Sequence, residues 1–436
     1  MNYAINNEGN NIYNLAKEIF FINRSITGNG VRDTLKIIKK ILPKLHLHEI
    51  KSGSKVFDWT IPLEWNVTDA YIISPNGKKI LNFKKNNLHL VGYSIPINQI
   101  ISLEKLKKHL HFKKDFPDAI PYVTSYYKKN WGFCISYNEY KKLKKGNYKV
   151  VIKSTLKKGS LTYADLLIKG KSQKEILLTS YTCHPSMANN EVSGICLLTY
   201  LAKYLLKQKK LRYSYRIVFH PETIGAITYI SKNLKKLKKT IAGYVLSCVG
   251  DNKNFSLVKS KTDNCLANRV AENILKNTYK NFKKYEFVES GSDERRYCGP
   301  NINLPVASVL RTKYGCYKEY HTSKDNLNFV SPQGFQGSYE VYIKIINVIE
   351  RNYFYKINTI CEPNLGKRNL YPIISKWPDP KAEKKIYNLM HFILYADGKL
   401  DLVEIAEKLK ISAFELIDVV NSLTNKKLLI KKLTNL

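Results

Sequence analysis

The sequence predicts an α/β protein with a mostly parallel sheet flanked by helices, a separate β-rich unit and a C-terminal winged helix. Three observations predict this fold. Apolar runs of strand length alternate with amphipathic runs of helix length over residues 176–350. Short strands and turn signals such as Pro75-Asn76-Gly77 fill residues 56–156. Three amphipathic helical segments and a strand pair then fill residues 381–433.

Helices open the chain, because apolar residues recur at helical spacing in residues 11–21 and again in residues 31–41. After the β-rich unit, the alternating region predicts strands at residues 176–178, 213–219, 241–249 and 305–310, with helices at residues 191–207, 224–234, 264–276 and 332–350. Because such alternation builds a parallel sheet, we expect functional residues at the carboxyl ends of its strands.

The C-terminal segments predict a linker at residues 356–370 and a winged-helix domain at residues 371–436, with helices near residues 381–395, 401–409 and 412–424. Winged helices on basic proteins often bind DNA through the last helix. Here that helix carries Glu415 and Asp418 early and no Arg or Lys before Lys426, so it would repel phosphate. We therefore expect a packing or docking role, and a DNA-binding regulator is the weaker alternative.

The chain is strongly basic, with 72 Lys and Arg against 35 Asp and Glu and a formal net charge of +37. Such a charge attracts anionic partners such as nucleic acid, a membrane surface or an acidic saccharide. The surplus is dispersed and mostly Lys, which favours a compositional bias instead. The eight cysteines have no paired spacing, which predicts reduced thiols. The N-terminus has no signal-peptide pattern and no apolar run reaches ~18 residues, so we expect a cytoplasmic protein without a transmembrane segment.

A polar turn between a strand and a helix is the most informative stretch. His184 follows the apolar strand, and Asn190 and Glu191 stand at the entrance of the helix. These side chains can converge on one cation, although a hydrogen-bonded turn with a helix cap would have the same pattern. The next strand ends near Glu222 and a later loop adds His321, so polar groups meet at one sheet edge. This convergence favours the cation site.

The order of these motifs resembles the zinc-dependent aminopeptidase fold. More closely, five motifs resemble those of a bacterial family of unknown function: Arg24–Gly30, Cys183–Asn189, Pro221–Gly225, Gly291–Arg295 and Glu319–Ser323. That family has an aminopeptidase-like domain, a β-rich insert and a C-terminal winged helix, and it is often associated with surface-polysaccharide biosynthesis. The resemblance implies a zinc-aminopeptidase-like domain of residues 1–54 and 157–355, with a nested insert at residues 55–156. We expect this insert to cap the active-site edge.

The resemblance also implies site residues, because a two-zinc aminopeptidase needs five ligands and a Glu general base. His184 and His321 match zinc ligands, and Glu222 matches the base that takes a proton from water. Three positions expected to carry carboxylate ligands carry neutral side chains instead: Asn190, Thr223 and Ser247. Asn190 stands where the metal-bridging Asp is expected. The lost charge predicts one zinc ion rather than two, and a metal-free site is the alternative.

Neighbouring residues leave further alternatives open. Glu191 could replace a missing ligand, or it could stabilise the helix N-terminus. Cys248 could be a soft ligand or a small buried residue. Asp293 and Glu294 could bind a substrate ammonium, and an ion pair with a neighbouring Arg is an equal alternative.

We therefore expect a zinc-dependent aminopeptidase-like hydrolase that cleaves an amide or peptide-like bond in a small-molecule or peptide-like substrate, with a link to surface-polysaccharide biosynthesis. The rival is a catalytically degenerate module for binding or assembly, which would take an anionic saccharide or a protein partner. A homo-oligomer is a further expectation. Aromatic residues of the insert would narrow the pocket or bind the face of a sugar, or they would form the insert's own core: Trp59, Trp65, Tyr122 and Trp131. The sequence does not name the substrate.

Overall fold

The computed structural model describes residues 6–126, 128–371 and 380–432. Its centre is a mixed sheet of eight strands, which follow one another in the order His46–Lys51, Ser160–Ile168, Ser214–His220, Glu175–Tyr181, Thr240–Val245, Val306–Leu310, Ser256–Val258 and Lys283–Tyr285. The four central strands are parallel, and their outer neighbours are mostly antiparallel. The predicted strand and helix alternation is therefore confirmed at the centre of the sheet.

Helices cover both faces of this sheet because its central strands are apolar on both faces. In the strand Glu175–Tyr181, Ile176 and Leu178 pack into one apolar cluster and Leu177 packs into another. The helices of this domain are Gly9–Ile19, Asn29–Ile41, Ser193–Leu206, Ile224–Leu237, Leu266–Thr278, Glu294–Tyr297 and Pro332–Arg351. The opening helices thus belong to the same α/β domain as the central strands.

The β-rich unit is built inside the chain of the α/β domain. The chain leaves the main sheet after Lys51 and returns at Ser160, and these two residues pair across neighbouring strands. Between them lies a four-stranded sheet in the order Lys79–Ile80, Glu64–Ile73, Asn147–Lys157 and Ile97–Ser102. Shorter elements complete it: the strands Lys55–Val56, Trp59–Thr60, Leu110–His111 and Phe133–Cys134, and the helices Leu103–Lys107 and Tyr137–Tyr140. Trp65 and Trp131 are buried in an apolar cluster that continues beneath the main sheet.

The C-terminal unit contains the helices Pro380–Tyr395, Leu402–Leu409 and Leu416–Asn425. Its last strand, Leu429–Lys432, does not form the expected strand pair within residues 428–433. It pairs instead with Phe354–Ile357, which also pairs with Asp397–Asp401. The expected linker at residues 356–370 therefore begins inside the central strand of this unit. Local patterns do not reveal such a pairing, because its strands are about 70 residues apart. Of the expected linker and winged helix, residues 372–379 and 433–436 lie outside the described residues.

Polar contacts fix the C-terminal unit against the helix Leu266–Thr278. Asp401 accepts a hydrogen bond from Nη2 of Arg269 at 2.5 Å, and Asn273 binds Glu407 at 2.6 Å and the N–H of Ala413 at 2.7 Å. These contacts join elements more than 130 residues apart in the chain.

In the part of the chain that the structure describes, no helix is both long and apolar enough to cross a membrane.

Candidate active site

His184 lies in the turn that follows the strand Glu175–Tyr181, at the carboxyl edge of the parallel strands. Its Nδ1 donates to Oε2 of Glu191 at 2.8 Å, and its Nε2 lies 3.7 Å from Oε2 of Glu222. Burial alone would lower the pKa of His184, but the hydrogen bond and charge of Glu191, with the charge of Glu222, raise it. The ring is therefore held by one carboxylate and presents its other nitrogen to a second.

Glu191 is a buried carboxylate whose oxygens are already engaged. Oε1 binds Nε of Arg24 at 2.7 Å, and both side chains are fully buried. Oε2 accepts the N–H of Cys183 at 2.6 Å and the N–H of His184 in addition to the His184 ring. Glu191 therefore fixes the orientation of the His184 ring through Nδ1, as carboxylates do for metal-binding imidazoles, and it is not a replacement ligand.

Arg24 has no role predicted from the sequence, although it begins the first of the five motifs. Its Nε also donates to the carbonyl of His184 at 3.1 Å, and its Nη1 donates to the carbonyl of Ile19 at 2.7 Å. The opening helices are thereby tied to the turn that carries His184. The sequence signal was an Arg in an otherwise apolar and hydroxyl-rich motif.

His321 and Asn190 form the second half of the site. Nε2 of His321 donates to Oδ1 of Asn190 at 3.1 Å, and the Asn190 amide donates to the hydroxyl of Tyr181 at 2.9 Å. Asp325 accepts the backbone N–H of Asn190 at 3.0 Å. Burial and the nearby His184 lower the pKa of His321 to about 3, so this ring is neutral. The two His rings have centroids 5.3 Å apart.

Glu222 follows the strand Ser214–His220 and keeps a quarter of its side chain exposed (26%). Its Oε1 accepts the hydroxyl of Ser292. The next residue, Thr223, has a positive φ of 61° and donates its N–H to Oδ1 of Asp293 at 2.8 Å. This strained turn places the Glu222 carboxylate in the cavity beside His184.

Asp293 and Glu294 do not line the cavity, although the sequence offers binding of a substrate ammonium as one of two equal interpretations, beside an ion pair with a neighbouring Arg. Both are fully buried behind Glu222. Asp293 holds the N–H of Thr223, while Glu294 accepts the hydroxyl of Ser308. Burial and the charge of Glu222 raise the pKa of both carboxyls, which favours their neutral forms. They lie behind the turn of Glu222 and are not part of the cavity lining.

The positions of the other expected ligands are neutral as well. Ser247 and Cys248 are buried, and burial raises the pKa of the Cys248 thiol, so it remains protonated. Cys183, His184 and Glu191 bring ligand atoms within 4.8 Å of one another. This group is not a metal site in itself, because Glu191 is bonded to Arg24 and burial raises the pKa of Cys183.

The donor set decides how many metal ions the site suits. Nε2 of His184 lies 3.7 Å from the Glu222 carboxylate, and Nε2 of His321 lies 3.1 Å from Oδ1 of Asn190, so the edge of the sheet carries imidazole, amide and carboxylate donors of the kinds that zinc takes. A second ion would require carboxylates where Thr223 and Ser247 stand, and neutral hydroxyls do not offset its charge. The types of donor therefore suit one zinc ion better than two.

A cavity of about 370 Å³ lies over these residues. The insert supplies much of its wall through Trp59, Tyr122 and Tyr126. The ring of Tyr122 lies 5.1 Å from that of His184 and 5.2 Å from that of His321, centroid to centroid. Its backbone N–H also donates to the carbonyl of His321 at 2.9 Å. The insert thus occupies the cap position expected from sequence, while Trp65 and Trp131 form its core.

Comparisons with known proteins identify the family and the fold of this chain. Residues 13–352 match the family model "Domain of unknown function (DUF4910)", and residues 353–431 match a winged helix-turn-helix model. A relative from Clostridium acetobutylicum is 46% identical over 401 residues, which span 92% of this chain and 91% of the relative. Its name describes a polysaccharide biosynthesis protein with an aminopeptidase-like domain.

Solved structures show the same architecture. A crystal structure from Clostridium acetobutylicum, of a protein described as a peptidase, has a TM-score of 0.90 and 43% identity, covering 97% of this chain and 96% of that one. A zinc aminopeptidase from Bacillus subtilis has a TM-score of 0.56 and 14% identity, covering 78% of this chain and 95% of that one, and shows the fold alone. The predicted aminopeptidase fold with a C-terminal winged helix is therefore confirmed, and the chain belongs to the DUF4910 family.

Proposed function

We propose that this protein hydrolyses an amide or peptide-like bond with one zinc ion, which His184 and His321 hold with the amide oxygen of Asn190. Glu222 is the general base. The observation that carries the proposal is the 3.7 Å approach of Nε2 of His184 to Oε2 of Glu222 inside the cavity. A base and a ligand nitrogen that share one position can act on the same water molecule.

Each residue of the site has a separate role in the proposed hydrolysis. When bound, a zinc ion supplies a Lewis acid and lowers the pKa of water. Glu222 takes a proton from water and delivers it to the leaving amine, and the hydroxyl of Ser292 fixes the carboxylate for this transfer. Glu191 keeps the proton of His184 on Nδ1, which leaves Nε2 free as a ligand. Tyr122 and Tyr126 narrow the cavity and exclude bulk water.

The cavity wall narrows the class of substrate. Among the described residues that line it, Glu222 is the only acidic side chain, so the wall offers no second carboxylate for a substrate ammonium. Its remaining surface is largely aromatic and apolar, with Ile26, Trp59 and Pro62 beside the two tyrosines. We therefore favour an amide next to a neutral group over a free N-terminal amine. The relative's name supports an amide that is carried by a saccharide.

A second candidate, a binding or assembly module without catalysis, is favoured by one contact. The hydrogen bond from His321 to Asn190 satisfies the imidazole at 3.1 Å without any metal. Zinc would have to replace that bond, and an amide oxygen brings no negative charge to help it. This candidate predicts a chain that stays metal-free and inactive while it still binds its ligand in the cavity.

Metal analysis and a panel of acylated amino compounds separate the two candidates. The full chain, purified with zinc in the buffer, should carry one zinc ion and hydrolyse at least one amide of the panel. Glu222→Gln should abolish hydrolysis and keep the zinc, whereas Glu104→Gln at an exposed position should change neither. A metal-free and inactive chain would refute the hydrolase and favour the binding module.

We also propose a cytoplasmic location, which the free thiols of all eight cysteines support.

A further inference from the structure

A second cavity, of about 450 Å³, lies between the α/β domain and the insert. Its wall comes from the chain after the helix Gly9–Ile19, from residues 83–88 of the insert, from Ser186 and from residues 323–328. It shares no lining residue with the candidate active site. Its volume is within the range that drug-sized ligands fill, so it can hold a small organic molecule.

Uncharged polar groups make up much of this wall. Five asparagines line it, together with Ser186 and Ser323. None of the described lining residues is acidic, so the wall does not suit a metal cation. An amide both donates and accepts hydrogen bonds, and a hydroxyl group does the same, whereas a phosphate mainly accepts them. The wall therefore suits a ligand that is rich in hydroxyl groups.

Three of the five amides have unused hydrogen-bonding groups. The side chains of Asn23 and Asn328 make no hydrogen bond within the described part of the chain. Asn87 is only 9% exposed, and its Nδ2 donates to the carbonyl of Phe21 at 3.4 Å, while its buried Oδ1 has no partner among the described residues. A buried carbonyl oxygen without a donor costs free energy. A ligand hydroxyl would supply that donor once the amide rotates toward the cavity that it lines.

An aromatic ring lies beside these amides. Phe21 lines the cavity although the residue is 72% exposed. Its neighbour Phe20 is buried and meets it edge to face, with ring centroids 4.9 Å apart and planes at 79°. This contact holds the Phe21 ring in place while one face stays open. An open ring beside free amides can pack on the apolar C–H face of a sugar ring, whose hydroxyls then point to the amides.

We propose that this cavity binds a short saccharide of pyranose rings. Phe21 packs against the apolar face of one ring, and the amides of the three asparagines bind its hydroxyls. None of the described lining residues belongs to a β-strand, so the cavity does not offer the sheet edge to which extended peptides add.

The loops of the two active-site imidazoles also build this cavity. Ser186 is two residues after His184, and Ser323 is two residues after His321. A saccharide bound here would therefore contact the loops of the candidate active site without contacting Glu222, which does not line this cavity. Its binding does not depend on the proposed hydrolysis.

The rim of the cavity carries two lysines. Nζ of Lys84 lies 3.8 Å from Oδ2 of Asp69, so part of its charge is balanced. Lys85 has no carboxylate within ion-pair distance among the described residues. A uronic acid would add a charge contact to Lys85, whereas a neutral saccharide would use only the ring and the amides.

The test needs variants that change the ligand contacts and leave the fold intact. The site variant is Phe21→Ala with Asn23→Ala, which removes the exposed ring and one amide that makes no described hydrogen bond. The matched control is Phe57→Ala with Asn98→Ala, two exposed residues of the insert that line neither cavity. Trp59→Ala is a second control, because Trp59 lines the candidate active site.

Saturation-transfer difference NMR of the full chain tests the proposal with the methyl glycosides of glucose, galactose, mannose and N-acetylglucosamine. We expect at least one of them to bind with a millimolar Kd, weakened about tenfold in the site variant and less than about twofold in either control. The methyl glycoside of glucuronic acid, measured in parallel, distinguishes the source of the saccharide. Tighter binding that Lys85→Glu weakens assigns an acidic saccharide, and equal or weaker binding assigns a neutral one. Either result supports the proposal.

Four outcomes would overturn it. Absence of binding by every glycoside would show that the cavity is not a saccharide site. Equal weakening in the site variant and the matched control would place the glycosides elsewhere on the protein. Loss of binding in Trp59→Ala alone would assign them to the candidate active site. Binding of trialanine, but of no glycoside, that the site variant weakens would assign the cavity to peptides instead.

Discussion

The two halves of the candidate active site are built from different chemistry. The half around His184 is charged, with Arg24 and Glu191 paired at 2.7 Å and fully buried. The half around His321 is neutral where it faces the cavity, because its partner is the amide of Asn190. Carboxylates that bind backbone N–H groups, such as Glu191 and Asp325, are present in both halves. Among the described residues that line the cavity, only Glu222 carries a carboxylate.

This difference separates two roles of acidic residues in the same fold. Glu191 and Asp325 hold the turn that runs from Cys183 to Asn190, so their loss would disturb the fold itself. In the proposed site, the neutral residues Asn190, Thr223 and Ser247 leave that turn intact but offer no negative charge to a second cation.

The largest expected effect comes from the charged half. Glu222→Gln should lower the rate of amide hydrolysis by about 10²- to 10⁴-fold, because the amide cannot take a proton from water. Zinc content should stay unchanged. Kinetics on the best amide of the panel, with metal analysis of the same samples, checks both statements. A rate close to that of the unmodified chain would remove Glu222 from the chemistry.

Breaking the buried ion pair tests the structural role of the same half. Glu191→Gln leaves the guanidinium of Arg24 buried without its counter-charge, so we expect the free energy of unfolding to fall by about 3–5 kcal/mol. The matched control is Glu49→Gln, whose partner Arg32 lies 2.9 Å away at a half-exposed site, and it should cost about 0–1 kcal/mol. Urea unfolding measures both. Equal losses would show that burial of the pair does not matter.

Restoring charge to the neutral half should strengthen zinc binding. Asn190→Asp places a carboxylate beside His321 at the shared metal position, so zinc affinity should rise at least about tenfold. Competition with a chromogenic chelator measures the affinity. An unchanged affinity would mean that the cation does not contact Asn190.

The smallest expected effect lies in the cap. Tyr122→Phe removes a hydroxyl that contacts Tyr126 at 3.1 Å, and we expect KM to rise about fivefold with kcat nearly unchanged. Tyr137→Phe, elsewhere in the insert, is the control and should leave both constants unchanged. A fall in kcat alone would give Tyr122 a part in the chemistry.

The sequence predicted the parts of this site that local pattern controls. His184, Glu222 and His321 could be placed because polar residues after apolar strands meet at one sheet edge. Arg24 could not be assigned, because its partner Glu191 is 167 residues away. Asp293 and Glu294 resembled substrate contacts because their burial is decided by packing that the local sequence does not show. The strand Phe354–Ile357 was missed for a similar reason, since its partners lie far along the chain.

The zinc content of the protein distinguishes one ion held by two unequal halves from two ions or none. Full chain purified with zinc in the buffer, then dialysed and analysed by mass spectrometry for metals, should contain about one zinc ion per chain. His184→Ala and His321→Ala should each remove it. Two ions per chain would contradict the loss of the second position, and a zinc-free chain would contradict the metal site altogether.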